Sequence, residues 1–555
     1  MAVAGVHKPW FGATLKEWVF TTDHKKIGVM YGITSIIFFL IAGLSALGIR
    51  LELFQPGLQY VDEDRYNQLL TLRGVLMQFW WAVGVWGSFG NFLLPLMIGA
   101  RDVAFPRLNA LSYWLFFAAS VLALLTLLPG SHIRMMWTGY PPFSLNDNAG
   151  PVAFYALVIH LLGAASLASA INLVVTNLRM RAPGISFKKI NLFLHSFLAM
   201  NVIQILGVPA LAGAVTMLLL DKYFNTAFFD PTRGGDPILY QNIFWFYSHP
   251  VVYVMILPAF GLISEMIATF SRREIFGRTS MIFTIWGIAI LGFMVWIHHM
   301  FTSGVLDWIR ILFSYTTILI GVPTGIKIFN WIGTLYKGSI RFTTPMLYTL
   351  SAIFMFLIGG LTGIPLGLPA FDIGVHDSHF VVAHFHYVLG MALTLAVLGG
   401  FHYWFPKLTG KMYSEFWGKV GLVLIMIGSN LFYFLQFIVG LEGMPRRYAD
   451  YPAIESWVVL HQWQTIGAFI LAIGVGVALL NLFLSAKFGK KTSDNPWESP
   501  SLEWLIPSPP PPHNFDKIPH MPEDWDPYNY EWLKKTQATS ALTLLGAFAP
   551  FKNYE

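Results

Sequence analysis

The chain has 555 residues, 55% of them apolar and only 12% charged, whereas soluble domains carry about 25% charged residues; an ordinary soluble enzyme is excluded. A net charge of +6 gives no reason to invoke nucleic acid. With no cysteine, disulfides, thiolate metal sites and redox thiols are excluded, and any metal must be held by nitrogen or oxygen.

In chain order, a polar N-terminal segment, 1–26, leads into apolar runs at 27–49, 68–98, 107–129, 151–177, 190–219, 239–270, 279–302, 308–332, 344–365, 379–402, 416–440 and 461–486. Each reaches the roughly 20 residues that a spanning helix needs. This predicts an all-α, polytopic membrane domain over 27–487 with twelve spans. The first run lacks a small-residue cleavage pattern after it and reads as a retained helix. Basic residues gather at alternate connections: Lys16, Lys25 and Lys26 before the first span, Arg179, Arg181, Lys188 and Lys189 after the fourth, and Arg272, Arg273 and Arg278 after the sixth. Lys407, Lys411 and Lys419 follow the tenth, and Lys487, Lys490 and Lys491 the last. By the positive-inside rule these connections and both termini are cytoplasmic. Beyond Lys487 the chain, 488–555, turns polar and proline-rich, with Ser-Pro-Pro-Pro-Pro at 508–512. That composition favours an extended peripheral tail over a packed domain.

Five histidines share one depth. At about 1.5 Å per residue, His249 on the sixth span, His298 and His299 on the seventh, and His384 and His386 on the tenth all fall in the outer half of the membrane. One buried histidine with a single hydrogen bond is ordinary. Ionisable side chains in the bilayer are costly and mark function, so five at one level predict a shared metal and cofactor layer. His384 and His386 are two residues apart and point about 200° apart on a helix, so one span presents an imidazole to each of two groups. His249, His298 and His299 make a three-imidazole set suited to copper with a position left open. Tyr253 lies four residues beyond His249, on the same helix face, and a phenol beside a redox metal can give an electron and a proton together.

The stretches Trp-Phe-Tyr-Ser-His-Pro-Val-Val-Tyr at 245–253, Ile-His-His-Met-Phe-Thr-Ser-Gly at 297–304, Val-Pro-Thr-Gly-Ile-Lys at 322–327 and His-Asp-Ser-His-Phe-Val-Val-Ala-His-Phe-His-Tyr at 376–387 resemble subunit I of haem-copper terminal oxidases. The resemblance runs from Thr22-Asp23-His24-Lys25-Lys26 to beyond Met444-Pro445-Arg446-Arg447. It implies twelve helices, two haems, the high-spin one of type a, a histidine-bound copper, and reduction of O2 to water coupled to proton pumping. The implied partners are subunit II, further oxidase subunits and cytochrome c, in a bacterial plasma membrane and in reach of a respiratory supercomplex.

Carried over by position, His384 resembles the axial ligand of the high-spin haem and His386 that of the low-spin haem. His249, His298 and His299 resemble the copper ligands, and Tyr253 the tyrosine covalently bonded to the first of them. Arg446 and Arg447 resemble the pair that holds haem propionates, as suits the guanidinium fork. His376 and Asp377 resemble part of a magnesium or manganese site completed by subunit II. Arg50 resembles the residue facing a substituent of the low-spin haem.

Lys327 lies about nine residues, roughly 13 Å, inside the eighth span, deeper than a snorkelling lysine sits. With Thr324 it resembles the family's lysine-lined proton channel. Asp102 in the connection after the second span, with Asn91 and Asn109 near in sequence, resembles the entrance of the aspartate-headed channel. That channel usually ends in a glutamate two residues after the first copper histidine, where this chain has Val251. Tyr247 and Ser248 instead resemble a bacterial branch that uses a tyrosine-serine pair.

One motif departs from the family. The second ligand of the low-spin haem is expected in Thr-x-His-Gly, and the sequence reads Thr71-Leu72-Arg73-Gly74. Arginine has no lone pair for iron. Three readings stay open: a haem kept by His386 alone with Arg73 on a propionate or over the ring, ligation by Met77 one turn on, or loss of that haem. The function expected is an O2-reducing terminal oxidase fed by cytochrome c. Arg65 stands where quinol oxidases carry histidine, although Gln68 matches them. The alternatives are a nitric oxide reductase-like enzyme, disfavoured by Tyr253 and Lys327, and a redox-impaired paralogue, supported by Arg73 alone.

Overall fold

The computed structural model describes residues 14–542. Residues 1–13 of the N-terminal segment and 543–555 of the C-terminal extension lie outside the described residues. Twelve helices are long and apolar enough to cross a membrane: His24–Glu52, Glu63–Ile98, Pro106–Leu125, Val152–Arg179, Leu192–Tyr223, Pro237–Ser271, Arg278–Met300, Asp307–Leu335, Thr344–Leu366, His379–Thr409, Glu415–Leu441 and Glu455–Phe488. They coincide with the twelve apolar runs, and the fold is all-helical. Among the described residues, strand-like pairing is limited to the bridges Ser378 with Pro445 and Lys411 with Lys491.

Several spans begin where a polar side chain satisfies the first free amides. Asp23 accepts from the Lys25 amide at 2.9 Å, Asp236 from Ile238 at 2.8 Å ahead of Pro237, and Ser378 from Phe380 at 3.2 Å. The last of these fixes the register of the span that carries His384 and His386.

In lipid there is no hydrophobic drive between helices, and small residues allow close packing. The eleventh and twelfth spans show this. A Cβ at Gly428 would lie 2.3 Å from the Leu471 amide nitrogen, and one at Gly474 would lie 2.6 Å from that of Ile425. This contact brings His461 and Thr465 of the twelfth span to the Arg50 guanidinium of the first, at 3.0 and 3.1 Å.

The extension after Phe488 is largely irregular, as its prolines predict, yet it is packed. Trp504, Trp525 and Tyr528 are almost wholly buried. It bonds to the span ends that carry the basic connections: Lys25 Nζ donates to Pro512 O at 2.8 Å and Asn514 Oδ1 at 3.0 Å, and Lys407 Nζ to Ile506 O at 2.7 Å. Tyr528 Oη donates to Glu265 and accepts from the Leu192 amide at 2.8 Å. The composition gave its conformation, while its seat on the bundle comes from contacts hundreds of residues apart.

Candidate metal and haem centres

The sixth span puts His249 and Tyr253 on one face, and the short turns at the end of the seventh put His298 and His299 against it. One nitrogen from each of His249, His298 and His299 lies within 4.8 Å of the other two, the one cluster of three or more metal-capable His, Cys, Asp or Glu side chains found among the described residues. His249 Nδ1 and His299 Nε2 are 3.0 Å apart. His298 Nδ1 is fixed by Thr317 Oγ1 at 3.1 Å, and Trp245 stacks on the His299 ring at 3.7 Å. Such outer contacts orient imidazoles before a metal arrives. All ligands are nitrogen, and no carboxylate enters the cluster, so the donor set fits copper.

Tyr253 meets His249 edge-on, with ring centroids 4.9 Å apart. A Cβ at Gly292 would come 2.7 Å from the phenol ring, so that glycine admits Tyr253 to the site. The second nitrogen of His249, Nε2, is buried without a hydrogen-bond partner among the described residues.

His384 and His386 turn to different neighbours. His384 Nδ1 donates to Gly359 O of the ninth span at 2.9 Å, which leaves Nε2 with its lone pair. A Cβ at Gly363 would come 2.8 Å from His384 Cε1, so a glycine keeps space beside that ring. The residues fit a haem held by His384. His386 Nδ1 donates to Val382 O at 2.7 Å, and its ring stacks on Tyr433 at 4.5 Å. A π-helical segment begins at this residue, His386–Met391, and another, Met77–Val83, begins one turn beyond Arg73. Single π-turns of this kind recur at functional sites.

Arg73 meets His386 directly: its Nη2 donates to His386 Nε2. That nitrogen is the one a haem iron would use, and the guanidinium stands where the family expects the second ligand. The paired-ligand arrangement therefore does not fit here. Of the residues weighed from the sequence, Arg73 and not Met77 is the one bonded to His386.

Around this point Arg50 Cζ lies 5.5 Å from the Phe432 ring, which stacks on Tyr433 at 4.3 Å. Arg50 and Arg73 thus flank the same aromatic pair. His461 and His379, with ring centroids 5.6 Å apart, are buried beside Arg50. They lie off the metal layer and carry no local sequence signal that separates them from it.

Arg446 is engaged with Asp377: Nε donates to Oδ1 at 2.7 Å and Nη2 makes a second contact. Burial alone would raise the Asp377 carboxyl, but Arg446, His376 and Arg447 outweigh it and hold it below its ordinary value. Burial and the like charge of Arg446 lower Arg447 to about 10. His376 Nδ1 is bonded to Asp372 at 2.7 Å. His376 Nε2 and Asp377 Oδ2 are not used in these bonds.

Lys327 is almost wholly buried, and among the described residues its Nζ donates to Met281 O at 3.5 Å and stands 5.9 Å from the Phe260 ring centroid. Thr324 Oγ1 bonds to Ile320 O at 2.8 Å. Burial raises Asp102 to about 6. Asn91 Oδ1, both amide atoms of Asn109, and Ser248 Oγ are buried without partners among the described residues, as suits groups that bind water. A cavity of about 60 Å3 runs past Tyr31, Ser169, Asn201 and Gln204 to Tyr247. Tyr31 donates to Ser112 at 3.1 Å. These lining residues escaped the sequence reading, because isolated polar side chains in apolar helices form no motif.

Comparison with known proteins identifies the family. The sequence model described as cytochrome C and quinol oxidase polypeptide I matches residues 26–470. The chain is 41% identical over 524 residues to cytochrome c oxidase subunit 1 of Thermostichus vulcanus, covering 94% of each chain. It is 43% identical to that of a Synechocystis strain, with 92% of each covered, and 41% identical to that of Bacillus sp. strain PS3, with 97% of this chain and 87% of the relative covered. A heme-copper terminal oxidase dimer solved by cryo-electron microscopy shares the fold, with a TM-score of 0.74, 20% identity, and coverage of 84% of this chain and 85% of that one.

Proposed function

The chain belongs to the cytochrome c and quinol oxidase polypeptide I family, and from that membership we propose that it reduces O2 to water at a haem-copper centre and couples the reaction to proton translocation. It is a multi-pass membrane oxidoreductase of the cytochrome c oxidase type. The observation that carries the proposal is the convergence of His249, His298 and His299 with Tyr253 packed against the first.

When loaded, a haem held by His384 and a copper ion held by the three imidazoles would supply the electrons for O2 reduction. The chain's own contribution is positional and protonic. Thr317 and Trp245 set the ring planes of His298 and His299 before the metal binds. Tyr253 offers a phenolic proton and an electron beside the ligand, and His249 Nε2 is the nitrogen left for a covalent link to its ring. Lys327 Nζ, without a carboxylate partner among the described residues, is suited to carry a proton toward Tyr253. Asp102 collects protons at the face covered by the C-terminal extension, and Asn91, Asn109 and the cavity lead on toward Tyr247 and Ser248. Hydroxyls there relay protons through water without holding charge, in place of the glutamate absent at Val251.

Electrons would come from cytochrome c through subunit II, with further oxidase subunits and a respiratory supercomplex as larger partners. The hemes would include type a, and a magnesium or manganese ion would use His376 and Asp377. Arg446 and Arg447 would face propionates, and Arg50 the edge of the haem on His386. By the positive-inside rule both termini would lie in the cytoplasm of a bacterial cell, with the helices in its plasma membrane.

Arg73 favours one second reading, a paralogue impaired in electron entry. Holoenzyme in sealed vesicles decides between them. Reduced cytochrome c should drive O2 consumption with acidification outside; O2 uptake with quinol alone, nitric oxide reduction, or no turnover despite full metal loading would each count against the proposal.

A further inference from the structure

The C-terminal extension reaches the turn that carries Asp102, and one amide makes the contact. Asn514 Nδ2 donates to Ala100 O at 2.9 Å and Arg101 O at 3.3 Å, from the two residues before Asp102, and to His24 Nε2 at 2.8 Å. Its Oδ1 accepts from Lys25 Nζ at 3.0 Å. An ammonium only donates, so Lys25 fixes which way the amide points. The amide in turn fixes the imidazole: His24 Nε2 accepts, so Nδ1 carries the proton and donates to Asn91 O at 2.6 Å. One side chain from the extension therefore ties Asn91 and the turn of Asp102 together.

Asp102 depends on that turn for its place. Its Oδ1 accepts from the adjacent Val103 amide at 2.7 Å, and among the described residues no side chain is hydrogen-bonded to it. Asn514 is almost wholly buried, with its backbone in the left-handed region at φ 59°, where Asn is better tolerated than most residues. Lys25 is closed on its other sides by Asp23 at 2.9 Å and Pro512 O at 2.8 Å.

We propose that Asn514 is a positioning residue for proton entry, holding the turn of Asp102 against the start of the first span so that the carboxyl stays half-buried beside Asn91. The inference rests on the proton route proposed above. Without the amide the turn is freed and water reaches the carboxyl, which removes the burial that disfavours its charge. Of the charged and titratable groups that face it, Asp23 also raises it, whereas Lys25 and His513 lower it. Its value should then fall from about 6 toward 3.8. Above that value, each unit of fall leaves about tenfold less of the group protonated.

Infrared titration of the holoenzyme, with proton uptake measured in sealed vesicles, tests this. The carboxyl band that Asp102→Asn removes identifies the group, and in the unmodified protein it should titrate at about 6. Asn514→Gly keeps the left-handed backbone and removes the amide; the band should titrate about one unit lower, and proton uptake at neutral pH should slow about tenfold. Tyr528→Phe loosens the extension at Glu265 and Leu192 instead. It should lower thermal stability and leave the Asp102 band where it was. An unshifted band in Asn514→Gly would overturn the proposal. An equal shift in Tyr528→Phe would overturn it too, because the seat of the whole extension, and not this amide, then governs Asp102. Failure of the proton route looks different: Asp102→Asn would leave proton uptake unchanged.

Discussion

His384 and His386 sit one residue apart on the same span and begin alike, each bonding Nδ1 to a backbone carbonyl, at 2.9 and 2.7 Å. What they face differs. The His384 side neighbours His298 of the nitrogen cluster, whereas the His386 side meets an arginine bonded to its second nitrogen. A helix and its carbonyls are enough to aim an imidazole. The character of the centre is set by what arrives from the opposite helix.

The largest effect should come from breaking the intact side. His249→Ala should abolish copper in metal analysis and lower O2 consumption by at least ~100-fold, more than the loss of an outer-shell contact to a metal ligand. The spectrum of the haem on His386 should stay as it was; retained copper would show that the three nitrogens are not its site. Lys327→Met should lower turnover by ~100-fold, the scale of a lost proton donor, with metal content intact. Rapid-reduction kinetics should slow on the His384 side alone, and equal slowing on both sides would detach Lys327 from that centre.

A matched pair of glycines sharpens the comparison further. Gly363→Ala brings a Cβ to 2.8 Å from the His384 ring, and Gly390→Ala one to 3.2 Å from the His386 ring. Overpacking of this kind costs about 1–3 kcal/mol, and the closer contact should give the larger fall in thermal stability together with a spectral change confined to the His384 haem. The reverse order would mean that His386 is the more tightly set ring.

The smallest effect concerns neither face. Asp102 sits at about 6 because burial raises it from 3.8, so the folded chain binds more protons than the unfolded chain between those values. Its contribution to stability falls as pH rises through that window. Asp102→Asn should flatten this slope, slow proton uptake and leave both haem spectra unchanged; an unaltered pH profile would exclude Asp102 from the route.

The sequence made the twelve spans and the histidine layer legible because both depend on counting: run length for the spans, depth for the histidines. The departure at Arg73 was legible for the same reason, since its depth matched that of His386. What it touches was not, because a propionate, the ring and His386 Nε2 all lie within reach of a guanidinium at that level. The cavity past Tyr31, Asn201 and Gln204 was hidden because its residues come from six spans without a shared motif. The burial of Trp504, Trp525 and Tyr528 was hidden for a related reason: composition reports that a proline-rich segment is irregular and leaves open what it rests on.

Near-infrared magnetic circular dichroism of the fully oxidised holoenzyme tests the asymmetry of the two sides most directly, because it reads the ligand pair on each ferric haem. The account predicts high-spin signals from both haems and no band from a haem with two strong protein ligands. A bis-nitrogen or a histidine-methionine low-spin band would contradict it, the first by giving the His386 haem a second nitrogen ligand and the second by giving it Met77.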